Sequence, residues 1–586
     1  MQRHARHTAI VAIVIAVLLS ASVAAADDRP VVNGETGKRM DEYLNRLEKF
    51  GYSGGAIAVR GGQIVLMKSY GLADRAKKIP LATDSVYNLG SITKQFTAAA
   101  ILTLEMQGKL SVNDLASKYL DGVPADKSSV TLHHLLTHSS GLESDFSPTD
   151  YDPVGRDEYV RRAMQSTLLF KPGQGYEYSN AGYSLLAAIV EKVSGESYEA
   201  YLAARVFKPA GMLETGYKAP AWAAARVAHG YRNGQDWGTI VDRLSPPEAP
   251  YWMLRGNGGL HTTLGDMLAW HRALDTDALL SKDARAKYMK GYVAEGPAGR
   301  SFYAYGWAVS QSSRGTRVVQ HNGGNGIFVA EFMRFPDEDA MLFLTSTNAD
   351  MKATPVVTKL ETLLFGGTVT LPPAVVALAP ERAAALTGRW ALAGGGILVI
   401  EADAGVLTVR ADDAKGIAAL NPAPAGLAER FAQLTARTGE VSARAFKGDP
   451  SALHEAMGGG MPIANLKEQE ISLMRDRESR LGRFVKSEAI ATVPREGDTV
   501  QTIVRLDFEK AAVFNIYIWG PRRILGVLAM PQLPPLRFLP VSDRSFAAYS
   551  LDTGGTGQTV SFDTVNGETV LTLPIPAGPL AARKLK

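Results

Sequence analysis

Apolar residues recur at helical spacing near the start of the chain, where Leu44 and Leu47 predict a helix over 41–50. The pattern then shifts to two short apolar runs, 56–59 and 64–67, split by Gly61-Gly62, which predicts a hairpin. Over 91–107, Ile92, Phe96, Ala99, Thr103 and Met106 fall on one helical face, and Gly108 supplies a stop signal. Helical patterns dominate 131–206. Strand-like runs return at 317–320, 327–335 and 340–346, followed by a helix over 354–364. A helix, a hairpin, a helical middle, then strands and a last helix is the order expected when both ends of a region pack on one antiparallel sheet. The fold class is therefore α+β, with a helical subdomain inserted.

The texture changes after a proline-rich linker at 371–380. Short strands are predicted at 390–392, 397–400 and 406–410, and the pattern turns helical over 421–474, with Leu427, Phe431 and Leu434 as one face. Strands follow at 485–493, 500–508, 513–519 and 524–530. After the stretch Pro531-Gln532-Leu533-Pro534-Pro535 come two more, at 559–563 and 570–573. One parse of 381–586 is a small β-barrel interrupted by an α+β insert at 421–532; two consecutive β-rich domains fit nearly as well. The expected division is 1–26, 27–370, the linker 371–380, and 381–586.

Residues 1–26 read as a secretory signal. Arg3 and Arg6 open it, the run 8–19 is apolar, and Ala24-Ala25-Ala26 is a small-residue cleavage site. The alternative is an uncleaved anchor, but the apolar run falls short of the roughly 20 residues a span needs. The expected location is thus periplasmic or secreted, with no stable membrane span after signal removal. With no cysteine among 586 residues, disulfides, thiolate metal ligands and a cysteine nucleophile are excluded. An apolar content of 46% over that length suffices for large cores. The formal charge of +4 becomes +2 once Arg3 and Arg6 leave, and such a balance gives no reason to invoke nucleic acid. The expected partner is a small molecule or short peptide; the oligomeric state is open.

Ser91-Ile92-Thr93-Lys94 is the sole Ser-x-x-Lys of the chain, and it sits where a loop runs into a helix. A serine in the first helical turn lies near the positive end of the helix dipole, and a lysine three residues on shares its face. Desolvated there, the ammonium can lose its proton and activate the hydroxyl. Downstream lies Tyr178-Ser179-Asn180. The phenol of Tyr178 can exchange a proton with the serine, and the amide of Asn180 can hold Lys94 and a substrate carbonyl. Taken alone, the same residues also read as a loop tyrosine and a capping asparagine. Third comes His321-Asn322-Gly323-Gly324, placed between strands ending at 320 and starting at 327. Glycines there let a substrate backbone approach a strand edge, and the histidine reads equally as a satisfied imidazole in a turn.

In this order the three motifs resemble those of serine β-lactamase and penicillin-binding-protein-like hydrolases. The branch is that of class C β-lactamases, D-aminopeptidases and esterases (peptidase family S12). The resemblance covers about residues 35–367 and takes in the run Val130 to Leu142, Pro209-Ala210-Gly211-Met212 and Gly258-Gly259-Leu260-His261. It implies a β-lactamase-like sheet flanked by helices and a secreted serine hydrolase needing no cofactor. Ser91 is implied as the acylated nucleophile, Lys94 and Tyr178 as the proton-transfer pair, and Asn180, His321, Gly323 and Gly324 as substrate-binding residues. The amides of Ser91 and Gly324 are implied to form the oxyanion hole. No Lys-Thr-Gly or Lys-Ser-Gly occurs; His321 replaces the lysine usual in β-lactamases, and a mostly neutral imidazole suits a substrate carboxylate poorly. The expected activity is hydrolysis of small peptides or amides, D-configured ones included. The alternatives are a carboxylesterase, a weak β-lactamase or D-Ala-D-Ala carboxypeptidase, and a penicillin-binding sensor that acylates without turnover. His134 and His138, four apart on a predicted helix, are a weak metal-ligand pair without the glutamate of the zinc-protease pattern, so no metal is expected.

Overall fold

The structure, a computed structural model, describes residues 29–585 except 146–148, 219, 245–250, 404, 425, 459–462, 496–498 and 551–554. The expected signal, 1–26, lies outside the described residues. Among those described, no helix is long and apolar enough to cross a membrane.

A nine-stranded antiparallel sheet organises the first half. Its central strands are Gln63–Tyr70, Gly54–Arg60, Ala340–Ser346, Val329–Phe335 and Arg317–Gly324, in that spatial order. The early hairpin thus pairs with a single strand far later in the chain, Ile57 opposite Phe343 and Ala58 opposite Leu342. Alternation along each strand feeds two cores. Ile57, Val59, Met341 and Phe343 face the larger one, shared with the helical subdomain. Ala56, Ala58, Leu342 and Leu344 face the other, under the helices Gly34–Lys49 and Ala353–Leu364. A period of two explains why one strand serves both sides.

The central helix, Thr93–Met106, is buried from Thr93 to Leu104 and packs against the helix Asn180–Ser194. It begins one turn earlier as the 3-10 turn Gly90–Ile92. Met106, assigned to the buried face by spacing, is the last residue of the helix and is 50% exposed.

Two expectations about the third motif and the histidines need correction. His321 to Gly324 do not lie between strands: the strand runs through them, His321 opposite Phe332 and Gly324 opposite Val329, so the turn begins at 325. Glycines weaken a strand signal in sequence, yet their missing side chains are what let this strand press against Gly90–Ile92. His134 and His138 do not share a helix face either. The helix Leu132–Leu136 ends first, and His138 takes the left-handed conformation with φ 56.

The second half contains a closed eight-stranded barrel. Three strands, Gly388–Leu392, Ile397–Asp403 and Val406–Ala411, precede the insert and five, from Leu536–Pro540 to Gly578–Lys584, follow it. Between them lie the helices Ala428–Phe446, Ser451–Ala456 and Ile463–Leu481 and a separate four-stranded sheet from Phe484 to Met530. Phe431 is buried as expected, whereas Leu427 precedes the helix and is 38% exposed. Helix Pro380–Leu386 takes up the last residue of the expected linker, its proline in the first turn where no amide donor is needed.

Candidate active site

Ser91 occupies the tight turn before the central helix. Gly90 holds φ +50 there, and a side chain on it would collide with the backbone of Gly323 and Gly324. A Cβ on Gly323 would in turn overlap Leu89 O and lie 3.0 Å from Ser91 N. Two chain segments far apart in sequence therefore meet backbone to backbone, and this contact brings the amides of Ser91 and Gly324 to one place. Asn88 steadies the turn: its Oδ1 accepts from Gly90 N at 3.0 Å and its Nδ2 donates to Leu260 O at 3.2 Å.

Lys94 is fully buried one turn along. Its Nζ donates to Asn180 Oδ1 at 2.7 Å, to Asn257 O at 2.8 Å and to Ser91 Oγ at 3.2 Å. Burial lowers its pKa from 10.5 to about 7, against the opposing charges of Asp145 and Asp150. As an ammonium, Lys94 matches three donors to three acceptors. As a neutral amine it keeps the two fixed partners and turns its lone pair to the Ser91 hydroxyl. The Tyr178 ring lies 4.7 Å from Nζ. Burial pushes the phenol well above its ordinary pKa, and a hydrogen bond with the Ser91 side chain offsets part of that rise.

Asn180 opens its helix, with Ser179 as the cap: Ser179 Oγ accepts from Gly182 N at 3.1 Å. The amide is oriented, Nδ2 donating to Asp145 Oδ2 at 2.9 Å while Oδ1 meets Lys94. His321 is buried beside Tyr178 with both ring nitrogens engaged. Nδ1 donates to Asn322 O at 2.5 Å, and Nε2 accepts from the Tyr303 hydroxyl at 2.9 Å. Burial and the nearby Lys94 lower its pKa to about 3, so the ring is neutral. Ser91 is half-exposed and Gly324 exposed, so the serine opens to solvent beside a small cavity of about 40 Å³ lined by Asn180, Asp150, Asn257 and Asn325.

The structure thus gathers Ser91, Lys94, Tyr178, Asn180, Gly323 and Gly324 around one hydroxyl, with His321 behind them. Several neighbours escaped the sequence. Asn257 contributes only a backbone oxygen, which no side-chain pattern can announce. Asp145 and Asp150 sit in a polar loop without a motif. Tyr303 lies on a short strand, 18 residues before the histidine it holds. His138 Nδ1 accepts from Ser179 N at 3.0 Å, and His134 Nδ1 accepts from Thr131 N. Among the described residues, no group of three or more histidine or acidic side chains is placed to hold a metal ion.

Comparison with known proteins places this geometry. The chain is 30% identical over 342 residues to penicillin-binding protein 4* of Bacillus subtilis (strain 168), covering 56% of this chain and 75% of that one. It is 31% identical over 304 residues to the putative penicillin-binding protein PbpX of the same organism, covering 50% of this chain and 74% of the relative. The octameric penicillin-binding protein homologue from Pyrococcus abyssi superposes with a TM-score of 0.51 at 20% identity. That likeness, one of fold, covers 94% of this chain and all of that one. The Beta-lactamase family profile matches residues 43–361, a span that holds the whole surroundings of Ser91, and the chain belongs to the Beta-lactamase family.

Proposed function

We propose that this chain is a secreted serine hydrolase that forms an acyl-enzyme at Ser91 and cleaves small peptides or amides, D-configured ones included. The observation that carries the reading is the Lys94 amine, buried, set near pH 7 and aimed at Ser91 Oγ by two fixed acceptors. Lys94 is the resting base in this reading, because Tyr178 holds its proton far into the alkaline range. The Ser91 proton passes to Lys94 as Oγ attacks the carbonyl carbon. The amides of Ser91 and Gly324 then bear the charge that develops on the carbonyl oxygen. The leaving nitrogen takes a proton from the Lys94–Tyr178 pair, and water, deprotonated by the same pair, releases the acid and restores Ser91.

The charge of the cleft supports substrates with a free amine. The Asp150 carboxyl shares the cavity with Ser91, and Asp145 stands close enough that its charge, after burial, raises the Asp150 pKa. A substrate ammonium placed there gains two acidic neighbours. The third motif supplies no cation, since His321 is neutral and internally bonded, so substrates recognised by a carboxylate fit less well. The same neutrality favours carboxylester hydrolysis as the second reading.

The experiment is a panel of D- and L-aminoacyl amides, p-nitrophenyl esters and a chromogenic cephalosporin, run on the wild type and on Ser91→Ala. Turnover of amino amides that vanishes in Ser91→Ala supports the proposal, and preference for esters supports the second reading. Stoichiometric labelling of Ser91 without release favours the sensor.

A further inference from the structure

His138 stands at the centre of a ring of tyrosines. Its imidazole lies 4.3 Å from the ring of Tyr178, 4.4 Å from Tyr303, 5.2 Å from Tyr183 and 6.1 Å from Tyr176. The two residues flanking Tyr178 are both tied to it. Glu177 N donates to His138 O at 2.9 Å, and Ser179 N donates to His138 Nδ1 at 3.0 Å. The backbone on each side of Tyr178 is thus clamped to a single residue whose ring also covers the phenol. The left-handed backbone of His138, φ 56, is what turns both its carbonyl and its imidazole toward the same strand of chain. A non-glycine residue in that conformation is uncommon, and it persists only where its surroundings hold it.

Accepting from Ser179 N leaves the ring proton on Nε2, which is buried without a partner among the described residues. A phenylalanine would fill this space without an unsatisfied donor, so packing alone does not explain the residue. The acceptor at Nδ1 does.

We infer that His138 is the positioning residue that sets the phenol of Tyr178 against Ser91, gripping the chain on both sides of the tyrosine. The inference rests on the hydrolase reading, and it assigns His138 no contact with substrate.

Three variants separate this role from simple packing: His138→Gly, which tolerates the backbone but loses ring and acceptor; His138→Phe, which keeps a ring; and His138→Asn, whose Oδ1 matches the place of Nδ1. Each is made in the full chain, in the wild type and in Tyr178→Phe, and assayed with p-nitrophenyl acetate and by fluorophosphonate labelling of Ser91, with thermal melting as a check on folding. In the wild-type background His138→Gly should lower kcat roughly tenfold to a hundredfold with KM nearly constant, as a slight misplacement does. His138→Asn should recover most of that loss. In the Tyr178→Phe background His138→Gly should change little, because the group it positions has gone. Equal losses in both backgrounds, or a folded His138→Gly with full kcat, overturn the inference. Should His138→Gly not fold, His138→Phe outperforming His138→Asn overturns it. A wild type that never labels at Ser91 removes the hydrolase reading and this inference together, whereas a reactive wild type with background-independent variants removes this inference alone.

Discussion

Asn180 presents its oxygen to Lys94 because Asp145 holds its nitrogen: Nδ2 donates to Asp145 Oδ2 at 2.9 Å while Oδ1 accepts from Lys94 Nζ at 2.7 Å. A flipped amide would set two donors against each other. Replacing Asn180 by Asp puts a carboxylate against the amine, and an opposite charge favours the ammonium. The rising, acid-side limb of kcat/KM against pH should then move to higher pH, and Asn180→Leu should lose roughly a hundredfold in kcat. A limb that stays in place in Asn180→Asp detaches the pair from catalysis.

The wild type itself should gain activity as pH rises through about 7, where Lys94 loses its proton. His321, with a pKa near 3, and His138, held well below the ordinary histidine range by burial, should add no limb near pH 6.5. Rates measured from pH 5 to 9 check both statements, and a flat profile contradicts the first.

The same lysine gives stability a pH dependence of defined sign. Between its folded value of about 7 and its ordinary 10.5, the unfolded chain binds the proton that the folded chain lacks. Stability from this group therefore rises with pH across that window. Lys94→Met should abolish turnover, remove this contribution and raise the melting temperature by a few degrees at pH 7. A lower melting temperature would falsify the view that the buried amine costs stability.

Tyr178→Phe removes the hydroxyl and keeps the ring beside Lys94. The expected loss in kcat is roughly a hundredfold to a thousandfold, within the range of a proton-transfer group, with an unchanged fold by circular dichroism. Full activity in this variant would leave Lys94 to carry both proton transfers.

Gly323→Ala tests the backbone contact beneath Ser91. Its Cβ would overlap Leu89 O, a main-chain atom with no rotamer to yield, and crowd Ser91 N. We expect a loss of about 1–3 kcal/mol in stability, typical of overpacking, and a larger proportional loss in acylation rate. Equal acylation rates in the two proteins would show that the contact does not shape the site.

His321→Lys places a cation in the third motif. It should shift preference toward carboxylate-bearing substrates, while the Tyr303 hydroxyl loses its acceptor at Nε2. An unchanged substrate profile separates this position from specificity.

Local pattern alone read much of the molecule. The hairpin at 56–67, the central helix and the strands 340–346 and 500–508 follow from apolar periodicity and turn glycines, which depend on near neighbours, whereas the barrel's split across the insert was one of two parses that pattern left open. The Ser91–Lys94 pair was equally legible, since three residues on a helix are one turn. Order along the chain singled out Tyr178, Asn180 and the His321 motif. The extension of that strand through Gly324 was not legible, because glycine carries no periodic signal; its pairing is decided by Val329 to Phe332 across the sheet.

From the sequence come Ser91, Lys94 one turn on, and the alternation that builds two cores. Only the folded chain decided that Lys94 loses its solvent, that Asn257 offers it a carbonyl, that Asp145 turns Asn180, and that His138 grips both flanks of Tyr178. The reason is range. Helical and strand periodicity is written by residues a few positions apart, whereas desolvation and hydrogen-bond partnership depend on groups that meet only when distant segments pack.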